Sequence, residues 1–437
     1  MHNLEYLALT IQPVIENGLV TAASTTTAPE HLPLRVLYPN LSFEEVIAGQ
    51  TSGPNASLQR IVDSLSPLIG IMGTAGDVVV VSENGRPAEI PDVLSHVDYL
   101  TVDEISERVF TTGAGVTLLP WGWDSSARDL ADRLEARASI PSHESVMAVN
   151  SRLFSAEFDV LADAADSVFF DGRFGQICKS CEQFQAGIEH LGAQQIDQWF
   201  AKPAWSTAGR SRLPGRSDVL NENQQAWLRK QLTMYEYVYL EPCLPVIREC
   251  GIQLDISATS NASAAVTITG TTELITDRTG RYRGSIMATG VDPFWQPAID
   301  HAIRVGQRAA KLGYFGPLGI DSMQIELPDG QRLLRLCNDI NGRLTMGRLA
   351  LGLWQAIGSE NTGIWLHSSI TNRPEDDGTC RNLPAANTVN IVDTVRVSPR
   401  RIGRYSTAVD SCLYVTNGLQ TVQDVVQAVR QYVRLEK

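Results

Sequence analysis

The sequence predicts a mixed fold, an α/β unit at the N-terminus followed by α+β units in which antiparallel strands dominate. Three observations lead there. Over the first 140 residues, short apolar runs at 34–38, 78–81 and 116–119 alternate with amphipathic segments, which favours parallel strands covered by helices on both faces. Later, runs rich in Val, Ile and Thr at 236–240, 252–259 and 264–275 fit an antiparallel sheet. The third observation is a hairpin between Gly316 and Arg348, whose two apolar strands meet at Pro328-Asp329-Gly330, residues suited to a tight turn. The expected divisions are 1–140, 141–360 and 361–437.

In chain order, Gly70, Gly73 and Gly76 precede the second strand and so are not a dinucleotide-binding fingerprint, which follows a first strand. Trp121 and Trp123 close the third strand as packing groups, and Asp124 is placed to cap the helix through Leu130 and Leu134. Residues 142–189 look helical, with Arg152 in the first turn of a helix from Leu153 to Ala164. The turn 277–284 carries Arg278, Arg281 and Arg283 and returns into a strand at 285–288. There Arg283 is suited to grip a substrate carboxylate with its planar fork. A helix from Pro297 to Leu312 turns Ile299, Ala302, Ile303, Gly306 and Ala310 to one side, with His301 structural. After the hairpin come an apolar helix at 344–357, a loop at 370–388, and a C-terminal α+β appendage. This appendage either caps a cleft or forms a homodimer surface.

Chemistry concentrates in two stretches. On the hairpin, Asp321 follows Leu318 and Ile320, and Asp339 follows Leu334, Leu336 and Cys337; half-buried carboxylates need a cation or a hydrogen-bond network. Asn341, two residues beyond Asp339, points to the same side in extended geometry. Three oxygen ligands without His or Cys suit Mg²⁺ or Mn²⁺ rather than zinc. Arg343 adds a fixed cation where an anion bridged by that metal would sit. The second stretch, WFAKPAWSTAGRSR, brings one of only five lysines, Lys202, into a strand-like run. Ser206, Thr207, Ala208 and Gly209 follow as a small-residue loop whose N–H groups can wrap phosphates.

In order, spacing and type, these pieces resemble the ATP-grasp superfamily. The matching elements are Lys202 with Ser206 to Gly209, the hinge Tyr237-Val238-Tyr239-Leu240-Glu241-Pro242-Cys243-Leu244, Asp321, and Asp339-Ile340-Asn341-Gly342-Arg343. The resemblance covers roughly residues 145–355; its one departure is Asp339 where the family more often has Glu. It implies a Rossmann-like N-terminal domain ahead of two α+β subdomains that clasp ATP. It implies Mg²⁺ on Asp321, Asp339 and Asn341, phosphates on Lys202 and the small-residue loop, and Arg152 at the α-phosphate. Glu241 and the Cys243–Leu244 backbone are expected at adenine, with Glu249 at the ribose. The implied reaction is ATP-dependent joining of a carboxylate to an amine through an acyl-phosphate, with Lys202, Arg283 and Arg343 as catalytic and substrate-gripping groups. Within the superfamily the arrangement looks like the amino-acid and peptide ligases of bacterial specialised metabolism. Two alternatives stay open, a nucleotide-binding protein without turnover and phosphoryl transfer to a small acceptor.

Composition agrees. With 437 residues there is room for two or three domains, and a net charge of −13 repels nucleic acid and anionic membranes. The seven cysteines are scattered, and Cys178 with Cys181 lacks partners for a zinc set. No run of 18 apolar residues and no leader-like N-terminus occurs, so the expectation is a soluble cytoplasmic protein acting on ATP and small amino-acid or peptide substrates.

Overall fold

Four short strands pair in parallel at the N-terminal end, in the order Asp98–Leu100, Val78–Val80, Leu34–Tyr38 and Val116–Pro120. Their alternate residues, Val36, Val78, Val80, Val116 and Leu118, are buried, as the apolar runs require. Asp124 caps the following helix Ser125–Arg133 by accepting the Ala127 N–H at 2.9 Å. The computed structural model describes residues 33–49, 56–137, 139–162, 169–205, 212–216, 219–258, 265–288, 290, 292–357, 362–369, 380, 389–416 and 422–435. Among these, no helix is long and apolar enough to cross a membrane.

The rest is built on two antiparallel sheets. One has four strands, Gln176–Cys178, Val238–Pro242, Gln198–Pro203 and Leu213–Arg216. The other has nine, in the order Ile391–Arg396, Val409–Thr416, Gly363–Ser369, Tyr282–Met287, Val266–Thr276, Val246–Ile256, Gly316–Glu326, Arg332–Asn341 and Leu161–Ala162. Helix Gln296–Lys311 packs Ala298, Ala302, Val305 and Ala309 into the core that also holds Ile252, Leu254, Leu318 and Ile320. Period-two alternation then turns Asp321 to the other face. The C-terminal strands extend this sheet, and Arg401–Ile402 pairs with Pro87–Ala88 of the N-terminal unit. Cys380 is joined by a disulfide to Cys412 of the strand Val409–Thr416.

Two expectations are corrected. The runs at 236–240, 252–259 and 264–275 do not share a sheet: the first pairs with the Lys202 strand, whereas the second and third pair with each other, and the second also with the first strand of the hairpin. Pro242 and Pro245, which cannot donate to a ladder, flank the crossing, and pairing with the Lys202 strand gives out one residue past Pro242. The stretch 142–189 is not helical throughout. Helices His143–Asn150, Arg152–Phe158 and Cys181–Ala193 are separated by the strands Leu161–Ala162 and Gln176–Cys178. The helix stops at Phe158 because Asp159 is drawn into a buried ion pair, and Gly175 is needed where a Cβ would come 2.4 Å from the Leu240 carbonyl oxygen.

That ion pair joins the two sheets. Arg335, on the hairpin, donates from Nε to Asp159 Oδ1 at 2.7 Å and from Nη2 to Glu241 Oε2 at 2.8 Å. Its guanidinium lies 3.7 Å from the Phe174 ring centroid, and the side chain is 2% exposed. Tyr239 donates its hydroxyl to Asp159 as well. Removing this cation leaves the buried Asp159 carboxylate without its ion pair and Glu241 with Lys202 alone. Arg335→Met should therefore cost about 3–5 kcal/mol in urea unfolding, the scale for breaking a buried pair. The control, Arg332→Met, breaks an exposed pair with Glu326 and should cost about 1 kcal/mol or less. Equal losses would show that Arg335 does not hold the sheets together.

Candidate active site

The hairpin register sets Asp321 directly across from Asp339, and Gly319 across from Asn341. Two carboxylates on neighbouring strands repel each other. Burial first, then the charges of Asp339 and Glu249, push the Asp321 carboxyl up to about 7, against the partial relief of Arg343 and a hydrogen bond from Asn341. Asp339 is better compensated, since Arg152 Nη1 donates to its Oδ1 at 3.0 Å. Arg152 opens the helix Arg152–Phe158 and is 5% exposed, which excludes a solvated arginine. Its backbone N–H also donates to the Ala204 carbonyl at 3.2 Å, tying it to the end of the Lys202 strand.

Lys202 alternates with the buried Trp199 and Ala201 and so faces away from their core. Its Nζ sits 2.7 Å from Glu241 Oε1 and 3.3 Å from Asn338 Oδ1. Burial alone would raise the Glu241 carboxyl; Lys202 and Arg335 outweigh it and hold it down to about 2. Glu241 is thus the counter-ion that positions Lys202. Next to it, the expectation of a free Cys243 N–H is not met, because that group donates to the Gln198 carbonyl at 2.8 Å. Pairing with the Lys202 strand runs one residue past Pro242, and the Leu244 backbone is left as the expected adenine contact. Ser206, Thr207, Ala208 and Gly209 lie outside the described residues.

Arg343 turns toward the N-terminal unit. It pairs with Glu44 of the helix Phe43–Ile47, donates to Asn341 Oδ1 at 3.0 Å and the Leu344 carbonyl at 2.8 Å, and lies 5.5 Å from the Trp121 ring centroid. Between Asn341 and Arg343, Gly342 donates its N–H to Asn150 Oδ1 at 2.9 Å. A Cβ on Gly342 would meet Asn150 Nδ2 at 2.7 Å. Glu44, Asn150, Arg152, Trp205, Asp339 and Asn341 line one cleft. Glu249 accepts from Thr276, pairs with Arg430 at 3.2 Å, and lies within electrostatic reach of Asp321. Arg283 stands three strands from Asp321 in the nine-stranded sheet, beside Tyr282.

The order and pairing of these elements agree with the ATP-grasp expectation. No family model matches the chain, and no curated protein does. Solved structures of similar shape exist. N5-carboxyaminoimidazole synthetase from Staphylococcus aureus, complexed with ADP, is 11% identical over 93% of this chain and 98% of its own, with a TM-score of 0.49. The biotin carboxylase domain of 2-oxoglutarate carboxylase from Hydrogenobacter thermophilus, in complex with MgADP, ADP and bicarbonate, is 12% identical over 89% and 87%, with a TM-score of 0.48. Biotin carboxylase from Campylobacter jejuni is 13% identical over 88% and 87%, at 0.47. At such distances none of them lends its activity to this chain.

The donor set suits a hard divalent cation. Among the described residues no group of three or more His, Cys, Asp and Glu is arranged to hold a metal, but two carboxylates and an amide oxygen converge here, and Asp321 has no ion-pair partner among those residues. Glu44, Asn150, Asp159, Arg335 and Asn338 were missed by sequence reasoning. Only the burial implied by apolar neighbours, as around Arg335, could have flagged one of them.

A raised carboxyl lowers stability as it ionises. With a folded value near 7 and an ordinary unfolded value near 3.9, the Asp321 contribution is intact below about pH 4 and lost as pH rises through about 7. In EDTA, Asp321→Asn should raise the melting temperature at pH 8 by roughly 2 °C or more, and by less at pH 5. A gain independent of pH would show that Asp321 is not strained by its own charge.

Proposed function

We propose that the chain is an ATP-dependent carbon–nitrogen ligase that joins a carboxylate to an amine through an acyl-phosphate and releases ADP and phosphate. Amino-acid-like substrates fit best. The observation that carries this reading is the opposed pair Asp321–Asp339, set on buried strands beneath Lys202 and Arg152. Such a site is short of positive charge until a cation and a polyphosphate arrive together. When bound, a divalent ion held by Asp321, Asp339 and Asn341 would neutralise charge on the phosphoryl group in transfer.

The protein's own groups do the rest by placement. Lys202, fixed by Glu241 and Asn338, meets phosphate oxygens without first being ordered, and Arg152 lies beside Asp339 to meet the same chain of phosphates. Arg343 is held by Glu44 and Asn341 at the end of the site, where its planar fork stabilises the transferring group and the acyl-phosphate. The amine then displaces phosphate, so no side-chain nucleophile is required.

The test is incubation with ATP, Mg²⁺ and a mixture of the common amino acids. ADP should accumulate only when both a carboxylate and an amine are present. A rise in melting temperature with ATP but no ADP would instead mark a nucleotide-binding protein without turnover. A phosphorylated product that survives omission of amines would mark simple phosphoryl transfer. In the same assay Lys202→Ala should raise the Michaelis constant for ATP and lower turnover together. Arg343→Lys should keep nucleotide affinity in calorimetry nearly normal while turnover falls roughly tenfold or more. Asp339→Asn should abolish ADP formation while weakening nucleotide binding less. Loss of binding in Arg343→Lys with binding kept in Lys202→Ala would reverse the assigned roles.

A further inference from the structure

The central sheet carries a second polar cluster, away from the phosphate end. The pairs Gly284↔Leu366 and Ser285↔Trp365 set Arg283 opposite His367, because antiparallel partners step in opposite directions. His367 is 9% exposed, and its ring lies 4.6 Å from that of Trp365 and 5.6 Å from that of Tyr282. Among the described residues neither Nδ1 nor Nε2 has a hydrogen-bond partner. Polar neighbours are not lacking. Ser411, directly across from His367, instead accepts the indole N–H of Trp365 at 2.8 Å. The Tyr282 and Ser285 hydroxyls bond each other at 2.8 Å. Each hydroxyl is satisfied elsewhere, and the imidazole is left alone.

A buried polar group without a partner costs about 1–3 kcal/mol, and folded proteins keep few of them. A position that needed only bulk would hold a leucine at no such cost. Electrostatics indicate what the ring awaits. Burial, with the nearby Arg283 cation, pushes the imidazole down to about 3, so it is neutral and presents one N–H and one lone pair. Arg283 brings further donors and a positive charge, and the Tyr282 hydroxyl can donate as well when Ser285 donates to it, a set that suits a planar anion. Tyr282 and Arg283 are half-buried beside the buried His367. Tyr282 also lies within electrostatic reach of Asp321, so the cluster adjoins the candidate catalytic acids.

Resting on the ligase reading, we infer that Tyr282, Arg283 and His367 form a subsite for the carboxylate of the amine-bearing substrate, so that the acceptor is an amino acid and not a simple amine. His367 is the specificity residue, acting through its N–H.

Two measurements on the full chain test this. In protein labelled with ¹⁵N-histidine, the imidazole signal absent from His367→Gln identifies His367 among the seven histidines. A mixture of the twenty L-amino acids should shift that signal, and a matched mixture of their carboxamides should not. In ADP release, His367→Gln should raise the Michaelis constant for the amino-acid mixture tenfold or more, with ATP affinity and melting temperature close to those of the parent. Acids that leave the signal unmoved, amides that move it equally, or an unchanged Michaelis constant in a variant that turns over would each overturn the subsite. A shift without ADP release by the parent would overturn the ligase reading and leave the subsite standing; ADP release with His367 unmoved would do the reverse. N-acetylated amino acids paired with amino-acid amides supply the acid and amine separately. Turnover in that pairing that depends on His367 would give the carboxylate to the activated partner and overturn its assignment to the acceptor.

Discussion

The cleft stands on a run of alternating charges that crosses from one sheet to the other. Asp159 holds Arg335, Arg335 holds Glu241, and Glu241 holds Lys202, while Arg152 closes on Asp339 beside them. Ion pairs this deep add little net stability compared with well-packed apolar groups, since desolvation offsets most of their attraction. Their value lies in geometry. Each partner has one place at which its charge is compensated, so Lys202 and Arg152 are held in position before any ligand binds, as the proposed phosphate contacts would require. Reorganisation that would otherwise oppose transfer is completed during folding.

Against this balanced run, Asp321 is out of place. Arg152 compensates Asp339, Arg430 compensates Glu249, and Arg343 is drawn off toward Glu44. The remaining negative charge sits where Asp321 faces Asp339 across the hairpin. Among the described residues Asp321 is the cleft carboxylate without an ion-pair partner, which is what the proposed cation site rests on. The same imbalance raises the Asp321 carboxyl toward neutrality, so a divalent ion at the proposed site would have to compete with a proton.

Much of this was legible in the residues. Lys202, Asp321, Asp339 and Asn341 could be picked out because a polar group inside an apolar, period-two run has few innocent explanations. The hairpin tip was equally clear: Gly330 takes a positive φ of 86° in the turn that its Pro-Asp-Gly sequence suggests. What stayed hidden were partners. Asp339 meets Arg152, 187 residues away, and Arg335 meets Asp159, 176 away; a sequence shows that a residue is charged but not which charge will face it. The 236–240 run was misplaced for a related reason. Its composition fits either sheet, and only the prolines at 242 and 245 divide them. Glu44 and His367 had no local signal, since the acid lies in an ordinary helix and the imidazole matters because it lacks a hydrogen-bond partner among the described residues.

The nine-stranded sheet also acts as a ruler. Strands lie about 4.8 Å apart, so the three steps from the Asp321 strand to the Arg283 strand span about 14 Å in the hydrogen-bonding direction. The pairings fix that separation, and loop length does not alter it. Long side chains shorten the gap, Arg283 and Tyr282 from one end and the carboxylates from the other. What remains suits a substrate that extends from the phosphoryl group to a terminal anion. A free amine alone would leave the Arg283–His367 end empty and the imidazole still without a partner. On the proposed reading, an acceptor carboxylate would give His367 its partner, while a divalent ion would take the place beside Asp321. Under that proposal the two ends are coupled, because an acceptor anchored at its carboxylate would point its amine back along the sheet toward the acids.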